Sequence, residues 1–515
     1  MAKSEMKIIF RIRIIPESEG EIGNSSREQS ELRKKRIRIP HFEADQCPKF
    51  SLDKRIVQIT MYQNLFLFSF FLLCWVSANA GKPNFVYIMV DDAGYGDFSC
   101  FGQKKFKTPN VDRMAREGMK LTDFYSSSTV CAPSRSSLMT GHHSGRGYIR
   151  GNKEIKPEGQ HPLPLKAVTI PEVLKKSGYV SGMFGKWGLG APGSEGDPMN
   201  QGFDRFYGLN CQRQSHNFYP THVWSDRKKV MLDRKHYSHS LIAEECLKFI
   251  RANKDNPFFC YVPITIPHAA MQSPEERIAP WRKKFPEFEK VTGKYGGSVI
   301  TNPVAAFAAM MEHMDEDVGR ILDLLEELKI EKDTLVIFTS DNGPHKEGGH
   351  MPDFFDSNGP LKGYKRDLYE GGIRVATLAW WPGRIKSGTT SSHIAAGWDL
   401  LPTLCELSGT EAPTGIDGVS FAPTLLGKYK EQEQRDYLYW EFHEQGGKQA
   451  VRMGKWKGVR LNVKKDPNHP IELYDLSKDV GEKDNVAFKH PEIVRKLETA
   501  MRDSHRTNPI FPFIK

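Results

Sequence analysis

From residue 81 onward, short apolar runs rich in β-branched and aromatic residues alternate with stretches of helical periodicity, and no other feature restricts the fold as strongly. Strands covered by helices on both faces lose the apolar/polar alternation of a half-exposed sheet and read as continuous hydrophobic runs. The pattern therefore predicts an α/β fold, a mostly parallel sheet flanked by helices. Strand candidates are Phe85–Val90, Val180–Phe184, Phe258–Val262 and Leu335–Phe338. Helices are expected at Asn110–Glu117, Ile170–Lys176, His236–Ala252 and Asn302–Leu328. In the last, Val304, Phe307, Met311, Met314, Val318, Ile321, Leu325 and Leu328 recur at three- or four-residue steps as one apolar stripe, so its methionines read as core. Between about Gly409 and Tyr437 the chain turns richer in Gly, Pro and Thr. Beyond it Gln449–Leu461 and Glu472–Leu476 read as short antiparallel strands, and His490–Ser504 as a closing helix. Residues 81–409 are thus expected to form the large domain, and 410–515 a linker and a small C-terminal α+β subdomain with a small antiparallel sheet. There is no internal repeat or low-complexity tract.

The most hydrophobic stretch, Leu65–Val76, is apolar except at Ser69 and lies just before Ala78-Asn79-Ala80. An apolar core followed by a small-x-small triplet reads as a signal peptide, here spanning 61–80. A membrane crossing takes about 20 apolar residues, so no stable span is expected after cleavage. Signal peptides open their chains, and this one has its own methionine, Met61. Translation is expected to start there, with residues 1–60 a non-native or disordered extension and the product secreted or periplasmic, an extracytoplasmic protein.

The formal net charge is +10, from 73 basic and 63 acidic residues. Residues 1–60 carry a net +4 of this and 61–80 none, leaving a dispersed +6. With no dense basic tract or stacking platform, no nucleic-acid partner is expected. Six of the eight cysteines lie beyond residue 80, at 100, 131, 211, 246, 260 and 405, with no C-x-x-C pair. Neither a disulfide framework nor a thiolate zinc site is expected to hold the fold.

Four polar clusters begin at or shortly after the ends of the strand candidates: Asp91-Asp92, Gly185-Lys186-Trp187, Pro267-His268 and Asp341-Asn342. Open α/β sheets bind ligands outside the carboxyl ends of their strands, so these clusters are expected to converge on one pocket. Three carboxylates and an amide are hard oxygen donors, suited to calcium or magnesium.

The most specific string is Cys131-Ala132-Pro133-Ser134-Arg135, continued by Ser136-Ser137-Leu138-Met139-Thr140-Gly141. Here the chain resembles the type I sulfatases, the formylglycine-dependent family. In them C-x-P-S-R, followed by an apolar position and T-G, directs oxidation of the cysteine to formylglycine (3-oxoalanine), the catalytic nucleophile. The resemblance covers nearly all of Lys82–Asn508 in the family's order. Asn84–Asp92 with Gly94-Tyr95-Gly96-Asp97 is similar to its opening strand and metal loop, and Lys107–Asp112 to its T-P-N-(I/L)-D. Thr339–Gly343 resembles its second metal segment, and Pro360–Lys365 with Tyr369–Arg374 the motif of its active-site lysine. Ser181–Tyr207, Cys211–Pro220 and Glu472–Leu476 are similar to arylsulfatase A and N-acetylgalactosamine-6-sulfatase-like members.

The resemblance implies an alkaline-phosphatase-like fold with a small C-terminal sheet, a catalytic role for 81–409, one calcium ion and hydrolysis of sulfate esters. It also implies a partner that installs the aldehyde, a formylglycine-generating or anaerobic sulfatase-maturating enzyme. The expected calcium ligands are Asp91, Asp92, Asp341, Asn342 and the modified side chain at Cys131. Arg135 is expected to hold the formylglycine hydroxyls. Lys186 and Lys365 would clamp sulfate oxygens, His216 would contact the substrate, and His268 would protonate the leaving alcohol. A sulfate monoester is an anion, so its attack depends on charge neutralisation and electrostatic positioning. The hydrated aldehyde has one hydroxyl to attack sulfur and a second that expels sulfate as the carbonyl reforms, which neither serine nor a thiol can do.

One position departs from the family. A histidine normally follows Gly-Lys-Trp and helps bind the nucleophile's hydroxyl, whereas this chain has Gly188, with His142, His143 and His216 as candidates to stand in. The tract Asn210–Asn217 offers hydrogen-bonding groups to a sugar, and the expected substrate is a sulfated carbohydrate such as a 6-O-sulfated hexose or hexosamine. Two alternatives stand beside this reading. One is hydrolysis of phosphodiesters or phosphonate monoesters by the same nucleophile; the other is an inactive carbohydrate-binding homologue, suggested by Gly188.

Overall fold

The computed structural model describes residues 81–514, and the expected signal peptide and the extension before it lie outside the described residues. Ten strands form the main sheet: β1 (Asn84–Val90), β2 (Met119–Leu121), β3 (Val180–Lys186), β4 (Arg205–Leu209), β5 (His222–Ser225), β6 (Lys228–Met231), β7 (Phe258–Pro263), β8 (Thr334–Ser340), β9 (Thr377–Trp380) and β10 (Thr389–Ser391). Across the sheet they lie in the order β10-β2-β9-β8-β1-β7-β3-β4-β5-β6. The central five, β8 to β4, are mutually parallel and include all four strands expected from the sequence. The flanks are largely antiparallel: β9 runs against β8 and β2, and β4-β5-β6 form a meander. Antiparallel neighbours need only a tight turn, whereas parallel ones need a crossover element.

Successive residues of β1 serve opposite faces, as the two-residue strand period requires. Val86, Ile88 and Val90 join a core with the helices Ser238–Ala252 and Pro303–Glu327. Phe85, Tyr87 and Met89 join a second core with the helices Cys131–Thr140, Ile170–Lys175 and Leu400–Ser408. The apolar stripe of Pro303–Glu327 is buried from Val304 to Leu325, its methionines included. Asn302 caps this helix from a left-handed conformation (φ 51°), its side chain accepting from the Ala305 amide.

Because β8, β1, β7 and β3 are parallel, their carboxyl ends open on one edge. The β1–β8 register pairs Val90 with Ser340, so Asp91-Asp92 and Asp341-Asn342 leave neighbouring strands side by side.

The C-terminal sheet is an antiparallel meander of Leu438–Phe442, Lys448–Met453, Trp456–Arg460 and Ile471–Asp475. Its first strand was not expected from the sequence. The helix Pro491–Ser504 covers one face through Leu497, Ala500 and Met501. The other face, through Trp440 and Val459, meets Tyr125, Val130, Ile373 and Trp398, so the small sheet abuts the residue preceding Cys131. The six cysteines among the described residues are free thiols, with Cys246 and Cys260 sulfurs 3.6 Å apart. Among the described residues no helix is long and apolar enough to cross a membrane.

The helix that begins at Cys131 ends at Gly141, and beyond it His143 is wedged against Trp398 and Tyr439. Burial holds the His143 imidazole down at about 4, against about 6.5 in an unfolded chain. The unfolded state therefore takes up the proton more readily. The group's stabilising contribution is present above about pH 6.5 and is lost as pH falls toward 4. The thermal midpoint is expected to fall across this window, and to fall less steeply in His143→Gln. Parallel melting-versus-pH curves for the two proteins would contradict this.

Candidate active site

At the carboxyl edge of the sheet Asp91, Asp92, Asp341 and Asn342 meet, all at 0% exposure. Asp92 holds a left-handed backbone (φ 68°), a conformation a non-glycine residue keeps only when its surroundings enforce it. Its amide donates to Asp341 Oδ1 at 3.1 Å, and its carboxylate accepts from Asn342 Nδ2 at 2.7 Å. That leaves Asn342 Oδ1 buried without a partner. Burial, and then Asp91 alongside, push Asp341 well above the carboxylate range. Crowded carboxylates with an orphaned amide oxygen form an all-oxygen donor set that fits a calcium ion.

Three buried cations face this cluster. Lys186 Nζ donates to Asp91 Oδ2 at 2.5 Å, Lys365 Nζ to Asp92 Oδ2 at 2.7 Å, and Arg135 Nη2 to Asp341 Oδ2 at 2.9 Å. Burial opposes their charge, but Asp91 and Asp92 hold Lys186 and Lys365 above the ordinary lysine value.

Cys131 opens its helix, and its thiol donates to Asp91 Oδ1 at 3.3 Å. Burial, and then Asp91, hold the thiol well above its usual range. A thiol kept protonated is a poor nucleophile, so the unmodified side chain is unsuited to attack. Arg135 lies one turn on and therefore on the same helix face. Its Nη1 donates to the Lys186 carbonyl at 2.6 Å, while its buried Nε has no partner.

His268 and His216 stack with ring centroids 3.8 Å apart, His268 beside Lys365 Nζ (3.0 Å) and His216 beside Lys186 Nζ (3.3 Å). Burial, then Lys365, hold His268 well below the usual imidazole value; burial, then His268, do the same for His216. Nδ1 of His268 is hydrogen-bonded to the Ala269 carbonyl. The neutral ring thus carries its proton on Nδ1 and turns the Nε2 lone pair to Lys365. Burial and Lys365 favour this neutral form of His268, although Asp92 Oδ2 lies 3.2 Å from its Nε2.

All ten residues singled out from the sequence lie in this one site. Two further residues carry no spacing signal. Glu347 accepts from Lys365 at 3.3 Å, and despite its burial Lys365 holds it down to about 2. Gln212 occupies the space beside Gly188: a Cβ there would lie 2.4 Å from Gln212 Nε2, and φ at Gly188 is 81°. Both polar atoms of the buried Gln212 amide lack partners. Of the three histidines considered as stand-ins, only His216 enters the site. His142 is bound to Asp417 at 3.3 Å, and His143 lies against Trp398 and Tyr439.

The family model described as Sulfatase matches residues 83–410, and one described as N-sulphoglucosamine sulphohydrolase, C-terminal, matches 363–507. Arylsulfatase A of Homo sapiens is 33% identical over 456 residues, covering 82% of this chain and 87% of that protein. N-acetylgalactosamine-6-sulfatase of Rattus norvegicus is 34% identical over 373 residues, 67% of this chain and 66% of that protein. Among solved structures, Ps i-CgsB aligns with a TM-score of 0.70 at 27% identity, covering 82% of this chain and 92% of that one; it has also been solved in complex with k-i-k-neocarrahexaose. The sheet with its small C-terminal companion, and a family match over more than half of the chain, lead to one conclusion: the chain belongs to the sulfatase family, the hydrolases of sulfuric esters.

Proposed function

We propose that this sulfatase removes sulfate from a carbohydrate ester, with formylglycine made from Cys131 as nucleophile and one calcium ion as cofactor. The observation that carries the reading is the convergence of Lys186, Lys365, Arg135, His216 and His268 around a buried Cys131 that adjoins an oxygen-donor cluster. Held by Asp91, Asp92, Asp341 and Asn342 beside residue 131, calcium would supply positive charge to a bound sulfate. Formylglycine would supply paired hydroxyls, one for attack and one for release.

The chain's own residues do the rest. Lys186 and Lys365, charged despite burial, hold sulfate oxygens. Arg135 ties Asp341 to the carbonyl of Lys186 and so locks the nucleophile's helix to β3. His268 takes up a proton as the anionic ester binds, the ester's negative charge offsetting the positive charge of Lys365, and hands that proton to the leaving oxygen. Gln212, in the gap beside Gly188, offers its free amide to the nucleophile's hydroxyl. Losing one such positioned donor costs roughly 10²–10³ in kcat. Gln212→Leu is therefore expected to lower kcat about 10²-fold with the melting temperature preserved, and an unchanged kcat would remove Gln212 from this role.

A carbohydrate substrate is supported by a cleft of about 430 Å³ lined by Arg213, Gln214 and Asn217 together with Glu158, His222 and Arg234. The relatives named for N-acetylgalactosamine 6-sulfate and the complex with k-i-k-neocarrahexaose point the same way. The substrate class is a 6-O-sulfated hexose or hexosamine, met outside the cytoplasm after export through the signal peptide at 61–80 and aldehyde installation by a maturation enzyme. The test compares rates on defined sulfated oligosaccharides, nitrophenyl sulfate and phosphodiesters. Preference for the oligosaccharides is expected; turnover confined to the simple aryl sulfate, or faster on phosphodiesters, would overturn the reading.

A further inference from the structure

Away from the catalytic carboxylates, His239 in the first turn of Ser238–Ala252 faces His313 and Asp317, which lie four residues apart on one face of Pro303–Glu327. All three are at least nine-tenths buried. His239 Nε2 is 2.8 Å from Asp317 Oδ2, yet neither atom has a hydrogen-bond partner, so their approach lacks the alignment of a hydrogen bond. His313 Nε2 lies 3.9 Å from the same oxygen, and its Nδ1 is also unpartnered. The rings of His239 and His313 meet edge to face with centroids 4.8 Å apart. Donors around a zinc ion, each about 2.0–2.2 Å from the metal, lie roughly 3.3 Å from one another, a spacing the observed 2.8 and 3.9 Å bracket. The other carboxylate oxygen of Asp317 accepts from Arg320 at 2.9 Å, the kind of outer contact that orients a metal-binding carboxylate.

We propose that His239, His313 and Asp317 bind one first-row divalent cation, zinc by preference, that ties these two helices together independently of the catalytic site. Two imidazoles and a carboxylate are borderline donors that favour zinc or cobalt over calcium. The cation would draw His239 Nε2 and Asp317 Oδ2, which face each other at 2.8 Å without hydrogen-bond alignment, to a common partner, with a water or hydroxide filling the fourth position.

The test uses full-length protein saturated with calcium, dialysed against zinc and then against metal-free buffer. Elemental analysis is expected to find one more zinc per chain in the native protein than in His313→Gln, with equal rates of sulfate-ester hydrolysis. Cobalt(II)-loaded native protein should show visible ligand-field bands of a four-coordinate site that the variant lacks. Equal zinc contents, or no such bands in the native protein, would overturn the proposal. The cobalt spectrum needs no variant, and His239→Gln on the opposite helix repeats the comparison if His313→Gln does not fold.

Discussion

Cys131→Ala is expected to lower kcat/KM for a sulfate monoester by about 10⁶-fold, the scale on which loss of a nucleophile abolishes covalent catalysis. The fold should survive the change. The thiol's hydrogen-bond partner is Asp91, which keeps its contact with Lys186 when the sulfur is gone. Lys186, Lys365, His216 and His268 are untouched, so the inactive protein should still bind the sulfate ester. Initial rates with nitrophenyl sulfate, beside equilibrium binding of the same ester, separate these effects. A variant within tenfold of the native rate would remove residue 131 from the chemistry.

Lys365→Ala has the second-largest expected effect, because one ammonium serves three neighbours: Asp92, His268 and Glu347. Its loss removes a clamp on the sulfate and the hydrogen-bond partner that positions His268, costing about 10²–10³ in kcat/KM. It also strands the buried carboxylate of Asp92. Breaking a buried ion pair on one side costs about 3–5 kcal/mol. Calcium binding would supply part of the missing charge, so the destabilisation should be greatest after chelation and smaller with calcium restored. Denaturant unfolding in the two conditions checks this; equal stability of variant and native protein in the chelated state would contradict it.

The parts of the fold legible in the sequence are those where burial alone dictates the residues. Phe85–Val90, Val180–Phe184, Phe258–Val262 and Leu335–Phe338 are apolar because helices cover both faces, and they form most of the parallel centre. The flanks are not legible in this way. β2 and β10 have three residues each, and β6 (KKVM) is exposed throughout, so pairing with neighbours sets their conformation. Leu438–Phe442 is an unbroken buried run too, yet it follows directly on a Gly/Pro-rich stretch that read as linker.

The site divides along the same line. Asp91, Lys186 and Asp341 sit at or next to the ends of strands, so their convergence follows from parallel topology. Gln212 opens the short helix Gln212–Ser215 and Glu347 lies in an irregular segment, and tertiary packing sets the course of both. In sequence Gly188 stands only as a departure from the histidine that follows Gly-Lys-Trp in the family. In the folded protein it is the space that admits Gln212.

The central claim, that the nucleophile is an aldehyde made from Cys131, is tested most directly by mass spectrometry of the proteolytic peptide spanning residue 131, taken from protein produced in a host that converts such cysteines. The account expects that peptide to carry the aldehyde in place of the thiol, and specific activity to rise in proportion to the converted fraction. Fully active protein whose peptide holds only unmodified cysteine would contradict it.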